Sequence, residues 1–524
     1  MSFGLALFVA AASGFIALSY EILWYRVIAF ASWGLAASFG LLLAAYLFGL
    51  AIGSRVAGYF CKDDAHAGDT KMLRALAIFA CAANVVAWLV VPFFGWSATH
   101  KYEWIPPLGL VALAAAMLGA ILPLVAHYGI KPDDRAGQRL SYVYLANIVG
   151  SACGSLLTGF VFLDVWSLQK IGAVIASCGL GLVALLVGLS RMKNMQRGAA
   201  GFAIAGMLVV LWQLTPSAYD RIWERLLYKE KFTDTTRFKE VVETKSGVIT
   251  VTQDDTVYGG GAYDGRFNTS IVHDRNGIFR AYGVGAMHAA PKDVLMIGLA
   301  SGSWAQVVAN LRGVEHLTVI EINPGYKQII AKQPAVRSVL QNPKVEIVFD
   351  DGRRWLRRHD QKFDVIVMNT TWHWRSHATN LLSADFMETL RARLKPGGFA
   401  YFNSTSSWDV QKTAATVFPH ALRVYNLMAV SESPIVWDKS RWFETLQHTT
   451  IDGEPCIDLS QPWGPQVFEE QLRYADSINH PADDESLESR EALLVRTNNL
   501  GAMLVTDDNM VPEWRKVIRF HEAP

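Results

Sequence analysis

Seven stretches within the first 217 residues are apolar enough, and most of them long enough, to cross a membrane as helices. No other feature of the chain limits its fold so strongly. A crossing takes about 20 mainly apolar residues at a rise of 1.5 Å each. Stretches near residues 4–25, 34–58, 73–95, 105–128, 141–163 and 168–190 meet that length, and a shorter seventh lies near 199–215. The first has no basic start and is followed at once by others, so it reads as a membrane helix, not a cleaved signal. Charge divides the chain at the same place. Of 95 Lys, Arg, Asp and Glu residues, 21 fall in 1–217 and 74 in the remaining 307. The expected organisation is a transmembrane helical domain of six or seven spans (1–217), a linker or interfacial helix (218–240), a small β region (241–290) and a soluble catalytic domain (291–524).

Within the membrane half, Gly49-x-x-x-Gly53 and Gly150-x-x-x-Gly154 put small residues on one helix face, where a neighbouring backbone can come close. Glu21 and Asn147 are the polar exceptions. Glu21 stands among Tyr20, Trp24, Tyr25 and Arg26 near a helix end, the composition of an interfacial anchor. No ladder of intramembrane charges and no inverted repeat supports a transporter. The loops after spans two, four and six carry Arg55, Lys62, Lys71 and Arg74, then Lys131, Arg135 and Arg139, then Arg191, Lys193 and Arg197; the other loops hold Arg26, Lys101 and Lys170. The positive-inside rule puts the even loops and the N-terminus in the cytoplasm. If 199–215 crosses, the soluble half lies on the other side; if it only lies on the interface, that half stays inside. The expected location is a multi-pass protein of a bacterial-type inner or plasma membrane.

The soluble half holds 35 basic against 39 acidic residues, so it lacks the basic surface of a nucleic-acid binder. Its one cysteine, Cys456, excludes an internal disulfide, and the five cysteines show no metal-ligand spacing. Val248–Val251 alternates as a strand, and Tyr258–Gly261 and Asp264-Gly265 read as turns. Strands then alternate with helices: 293–297, 317–320, 345–349, 363–367 and, after a Lys395-Pro396-Gly397-Gly398 turn, 399–402. The expected fold is α/β, a doubly wound parallel sheet. Its ligand belongs beyond the carboxyl ends of the strands, at 298–303, 321, 350–352 and 369–377. Gly298 and Gly302 let backbone approach a ligand. Glu321, 23 residues beyond Gly298, stands where an acidic residue accepts ribose hydroxyls. Asp351, followed by Gly352, is placed to accept the exocyclic amine of adenine.

Residues 246–405 resemble the spermidine synthase (polyamine aminopropyltransferase) family, which is built on the class I S-adenosylmethionine methyltransferase fold. The resemblance rests on the Asp264-Gly265 pair before the glycine loop, Glu321-Ile322-Asn323, Asp351-Gly352, Leu382-Ser383-Ala384-Asp385-Phe386 and Pro396-Gly397-Gly398. Ser13-Gly14, Tyr20-Glu21-Ile22-Leu23-Trp24, Asn147-Ile148-Val149-Gly150 and Thr506-Asp507-Asp508 are similar to the fused membrane type. The resemblance implies that Glu321 holds ribose, that Asp351 and Gly352 meet adenine, and that the 298–303 loop covers the aliphatic chain and sulfonium. It places Asn268 where the family has a nucleoside-contacting Gln. It implies decarboxylated S-adenosylmethionine or S-adenosylmethionine as co-substrate without a metal, a polyamine or lipid-borne acceptor, contact with membrane lipid, and room for a homodimer. The departures fall on the reacting centre. The family's Gly-Gly-Gly-Asp-Gly-Gly loop is here Gly298-Leu299-Ala300-Ser301-Gly302-Ser303; its Tyr-x-Glu is Phe279-Arg280-Ala281; two acceptor-side aspartates are Asn369 and Trp372.

Aminopropyl transfer is attack by a neutral amine on a carbon next to a sulfonium, and a polyamine arrives protonated, so carboxylates are needed to bind it and take its proton. Asn369 can orient an amine but cannot act as a base. His373 is the candidate base, and Trp372 and Trp374 are candidates to hold a cation on their faces. Arg280 is a candidate for a substrate carboxylate. The expected function is a membrane-embedded transferase on an S-adenosyl sulfonium, by aminopropyl transfer to a polyamine. Two alternatives stay open: an S-adenosylmethionine-consuming enzyme with a neutral or lipid-borne acceptor, and a non-catalytic nucleoside-binding scaffold or sensor.

Overall fold

The computed structural model describes every residue except 62–68, 103, 191, 370–371, 479–485 and 516–524. Lys62 and Arg191, counted above among the loop charges, lie outside the described residues, as does the side chain of Lys71. The N-terminal half contains seven apolar helices among the described residues, all long enough to cross a membrane: α1 (Phe3–Ala31), α2 (Ala37–Phe60), α3 (Asp69–Thr99), α4 (Ile105–Gly129), α5 (Ala136–Leu157), α6 (Leu168–Leu189) and α7 (Asn194–Ala218). The small residues read from the sequence are the contact points. A Cβ at Gly53 would stand 1.8 Å from the Ala116 carbonyl oxygen of α4, and one at Gly150 1.9 Å from that of Ala11 in α1. Asn147 spends its amide on the same contact, donating to the Ala10 carbonyl at 3.1 Å. Beyond Leu157, α5 widens into a π-helical segment, Thr158–Phe162.

The seventh stretch runs the length of the bundle. At its start, Gln196 accepts from Arg74 Nη2 of α3 at 3.0 Å. At its end, the Tyr219 hydroxyl donates to the Trp88 carbonyl at 3.2 Å and the same ring closes over Gly172 near the start of α6. Twenty-five helical residues span about 38 Å, long enough to cross a membrane. The soluble half therefore sits at the end of the bundle opposite the N-terminus, against the turns after spans one, three and five. Arg26 donates to the carbonyls of Thr244 and Lys245. Lys245 pairs with Asp164 at 3.3 Å, the Leu168 amide donates to Glu243 Oε2 at 2.8 Å, and Lys101 pairs with Glu230 at 3.3 Å.

Residues 218–240 are not a free linker. Their apolar positions form a buried helix, Ile222–Tyr228, with Trp223 4.8 Å from the Phe30 ring. Lys229 is fully buried, its ammonium 4.9 Å over the Trp33 ring.

The small β region is a four-stranded antiparallel sheet: β1 (Glu240–Thr244), β2 (Gly247–Val251), β3 (Thr256–Gly259) and β4 (Ala262–Arg266). Asp264 and Gly265 lie within β4, not in a turn; the reversal is made by Gly260 and Gly261, both at positive φ. A register shift at Val257/Tyr258 absorbs the irregularity that Gly265, at φ +119, brings into the strand.

The main sheet has eight strands. Five are parallel, in the order β9 (Leu394–Asn403), β8 (Phe363–Met368), β5 (Asp293–Ile297), β6 (His316–Glu321), β7 (Val345–Phe349). Pro396-Gly397-Gly398 lies inside β9, accommodated by a register shift opposite Phe363/Val365. The tail completes the sheet with antiparallel β10 (His420–Val424), β11 (Leu427–Ser431) and a last strand, Leu487–Ser489. Apolar residues bury both faces of the parallel strands, as the near-continuous runs Val294–Ile297 and Val365–Met368 require. The strand order reverses about β5, between β6 and β8, so the crevice of a doubly wound sheet opens at the tips of those strands.

Candidate active site

Two adjoining cavities open at those tips. The first, of about 250 Å³, is lined by Gly298, Ala300, Glu321, Asp350, Asp351, Gly352 and Tyr326, with Ser246 and Gly247 from the small sheet. The second, of about 140 Å³, is lined by Tyr263, Asp264, Arg280, Ser301, Trp304, Trp372, Asn403, Thr405 and Asn426. Gly298, Ala300, Asp264 and Asn369 line both. The elements leaving β5, β6, β7 and β8 thus meet as expected, and the small sheet closes them from the membrane side.

Glu321 ends β6 and is 4% exposed. Its Oε2 accepts the Leu299 amide at 2.7 Å and the Ala300 amide at 3.5 Å; its Oε1 accepts the Asn323 amide at 2.7 Å. The carboxyl therefore shapes the glycine loop besides facing the cavity. Burial pushes it up to about 7, against the pull of those amides and with the charge of Asp264 adding to the rise. Ala300 sits at φ +47, a conformation that costs a non-glycine residue energy and clusters at functional sites. Gly302, also left-handed, does not line either cavity. A Cβ there would lie 2.9 Å from Ile330, so this glycine serves the packing of the following helix, Ser303–Ala309. Asp351 lines the first cavity but spends Oδ1 on the Arg354 amide at 2.7 Å, capping the helix Gly352–Arg358. Gly352 lets that helix start against Ile297, which a Cβ would meet at 2.6 Å.

On the acceptor side, Asn369 Oδ1 accepts from Asn403 Nδ2 at 3.1 Å, and Ser301 donates to Ser303 at 3.2 Å. Arg280 is buried between Trp304 and Tyr425, 5.8 and 5.4 Å from the ring centres. It donates to the carbonyls of Gly277 and Asn276 and to Asn426 Oδ1.

Besides Gly302, three candidates are placed elsewhere. Asn268 turns into its own loop, its amide donating to the Ser270 and His273 carbonyls and to Asn276, and lines neither cavity. Its short side chain satisfies the 268–276 bend. His373 lies behind Thr405, Nδ1 2.6 Å from Oγ1, and Thr405 rather than His373 faces the cavity. Trp374 is buried against Leu35 and lies 6.2 Å from Trp33, because the apolar α1–α2 turn offers it a drier surface than the cavity. Trp372, stacked on Trp374 at 6.1 Å, does line the second cavity.

The residue that sequence reasoning missed is Asp264. It is the one carboxylate among the described residues lining the second cavity. It accepts from the Tyr326 hydroxyl. Burial pushes its carboxyl up, opposed by the Tyr326 hydrogen bond and the Arg375 charge. Its signal was the Asp-Gly pair, read only as a turn. Asn403, Thr405 and Asn426 come from the ends of β9 and the β10–β11 turn, and no local pattern marks them.

Residues 282–426 match the model of the spermine/spermidine synthase domain. The chain is 21% identical over 418 residues to a polyamine aminopropyltransferase of Leptospira interrogans, covering 76% of this chain and 80% of that one. It is 22% identical over 370 residues to polyamine aminopropyltransferase 1 of Streptomyces coelicolor, covering 65% and 66%. Among solved structures, spermidine synthase from Thermotoga maritima aligns with a TM-score of 0.36 at 17% identity, over 45% of this chain and 84% of that one. The matched domain and these relatives make the C-terminal part of the chain spermidine synthase-like.

Proposed function

We propose that this chain is an integral membrane transferase that binds an S-adenosyl sulfonium in the first cavity and passes its aminopropyl group to an amine in the second. The observation that carries the reading is the position of Asp264, shared by both cavities and, among the described residues, the one carboxylate lining the second. The amine nitrogen attacks the carbon next to the sulfonium, the C–S electron pair stays on sulfur, and 5′-methylthioadenosine leaves. The proton lost by the amine goes to Asp264, whose carboxyl burial pushes up from its ordinary value. Asn369 and Asn403 orient the amine through their amide oxygens, and Trp372 supplies an aromatic face for its cationic form. Glu321 accepts the ribose hydroxyls. The test is purified full-length protein with decarboxylated S-adenosylmethionine and putrescine. Release of 5′-methylthioadenosine is expected, and none at all refutes this reading.

One observation favours a second reading. Among the described residues, Arg280 is the one formal cation lining the second cavity, which suits a donor that keeps its carboxylate, hence intact S-adenosylmethionine and another acceptor. Titration calorimetry with the two nucleosides separates the readings. A preference of tenfold or more for the carboxylated form supports the second and opposes the first.

The Lys and Arg residues crowd the loops at the N-terminal end of the bundle, and the soluble half packs on the other end. By the positive-inside rule the proposed active site faces away from the cytoplasm, so its nucleoside has to be supplied on that side.

A further inference from the structure

A third cavity, of about 380 Å³, lies in the seam between the membrane helices and the soluble half. Its two sides differ in chemistry. Ile22, Tyr25 and Ala29 of α1 and Leu163 beyond the π-helical segment make an apolar wall, while Arg26, Lys245 and Arg375 bring three permanent cations. No carboxylate is among its lining residues. The nearby acids are engaged around it: Glu243 accepts the Leu168 amide, Asp164 pairs with Lys245, and Asp264 is held by Tyr326. The π-helical turn puts Gly159 at the wall, where a side chain would otherwise intrude; such turns recur at functional sites.

Its depth is that of a headgroup. Arg26 stands five residues, about 7–8 Å, before the end of α1, where a basic side chain meets lipid phosphates. Beside it, Leu156 and Phe160 of the α5 segment are exposed at 57% and 65%, an apolar surface that acyl chains can cover. Cations above an apolar wall at this level fit an anionic amphiphile better than a free nucleotide or a polyamine.

We propose that the seam cavity binds the phosphate headgroup of one anionic membrane lipid, held by Arg26 and Lys245 with its chains along α5. Ser246, Gly247, Gly260 and Arg375 also line the nucleoside cavity, so the bound lipid forms part of the wall behind it. The inference does not depend on the reaction proposed above.

The test uses the full-length chain in detergent and titration calorimetry with dihexanoyl phosphatidylglycerol below its micelle concentration. Dihexanoyl phosphatidylcholine and inorganic phosphate are run in parallel. The anionic lipid is expected to bind at least tenfold more tightly than the zwitterionic one, and more tightly than phosphate. Lys245→Glu, on a side chain 45% exposed, is expected to lower that affinity tenfold or more with its melting temperature near wild type. Arg26→Gln should act in the same direction, but it also removes bonds to the Thr244 and Lys245 carbonyls, so Lys245→Glu is the deciding variant. Equal binding of the two lipids, or undiminished binding by Lys245→Glu, overturns the proposal. Phosphate binding as tightly as the lipid overturns it in favour of a soluble anion.

Discussion

Replacing Glu321 by glutamine separates its two duties, because only one of them involves a ligand. Toward the protein, the carboxylate accepts three backbone amides at 2.7, 2.7 and 3.5 Å. An amide side chain keeps one acceptor oxygen and turns an NH2 toward one of those donors. Leaving one buried amide unpaired costs about 1–3 kcal/mol of stability. Toward the nucleoside, two hydroxyl-to-carboxylate hydrogen bonds are replaced, each about 1.5–3 kcal/mol. Affinity for 5′-methylthioadenosine should therefore fall about 10²- to 10⁴-fold, since 1.4 kcal/mol is tenfold. Calorimetry with the nucleoside and its 2′-deoxy analogue isolates the ligand term. Wild type should lose tenfold or more on the deoxy analogue and Glu321→Gln almost nothing. An equal penalty in both proteins refutes a ribose role, whatever happens to stability. The pH dependence gives a second check. Glu321 is held up to about 7, above its unfolded value near 4.3, so the folded state binds its proton more tightly. The stability from this group is full below the unfolded value and is lost as pH rises through about 7. Nucleoside affinity should run the other way, rising with pH as the acceptor-only carboxylate forms. Melting and calorimetry across that range should show the opposed slopes, both flattened in Glu321→Gln.

Asp264→Asn should lower kcat of the aminopropyl transfer by about 10²- to 10⁴-fold, the range of general-base losses, while 5′-methylthioadenosine binding changes by a few-fold; an unchanged kcat removes Asp264 from the chemistry. Gly53→Leu should destabilise the bundle by about 1–3 kcal/mol or prevent its folding, because the first atom added lies 1.8 Å from the Ala116 carbonyl oxygen; a melting temperature like wild type would contradict the α2–α4 contact. An alkaline phosphatase fusion at the C-terminus should be active in a bacterial host, and a cytoplasm-requiring fluorescent fusion there dark. The reverse pattern places the soluble half in the cytoplasm.

Elements whose periodicity follows from burial were legible in the chain. The long apolar helices show by length, the strands 293–297 and 363–367 are apolar because both faces are covered, and the strand ends give the positions of Gly298, Glu321 and Asp351. What the sequence does not display is the partner of a polar residue. Asn268, His373 and Trp374 have the right chemistry for a site, yet each is engaged by its own loop, by Thr405 or by Leu35. These are contacts across 2, 32 and 339 positions of chain. Asp264 shows the converse: a shift in β-sheet register turned a residue that looks like turn chemistry into the floor of a cavity. The helix Ile222–Tyr228 falls where the sequence allowed a linker or an interfacial helix, and seven residues are too few to show a period that decides between them.

The loop that carries Trp372 is stitched to the membrane hairpin. Leu35 and Arg375 form a β-bridge, and the Ser376 amide donates to the Gly34 carbonyl at 2.8 Å. A water-soluble fragment beginning after residue 231 would keep its sheet and its nucleoside cleft while losing the strut on which the acceptor loop rests. Substrate profiles measured on such a fragment would describe a looser site than that of the full chain. The hairpin between the first two helices is, in effect, a remote wall of the acceptor chamber.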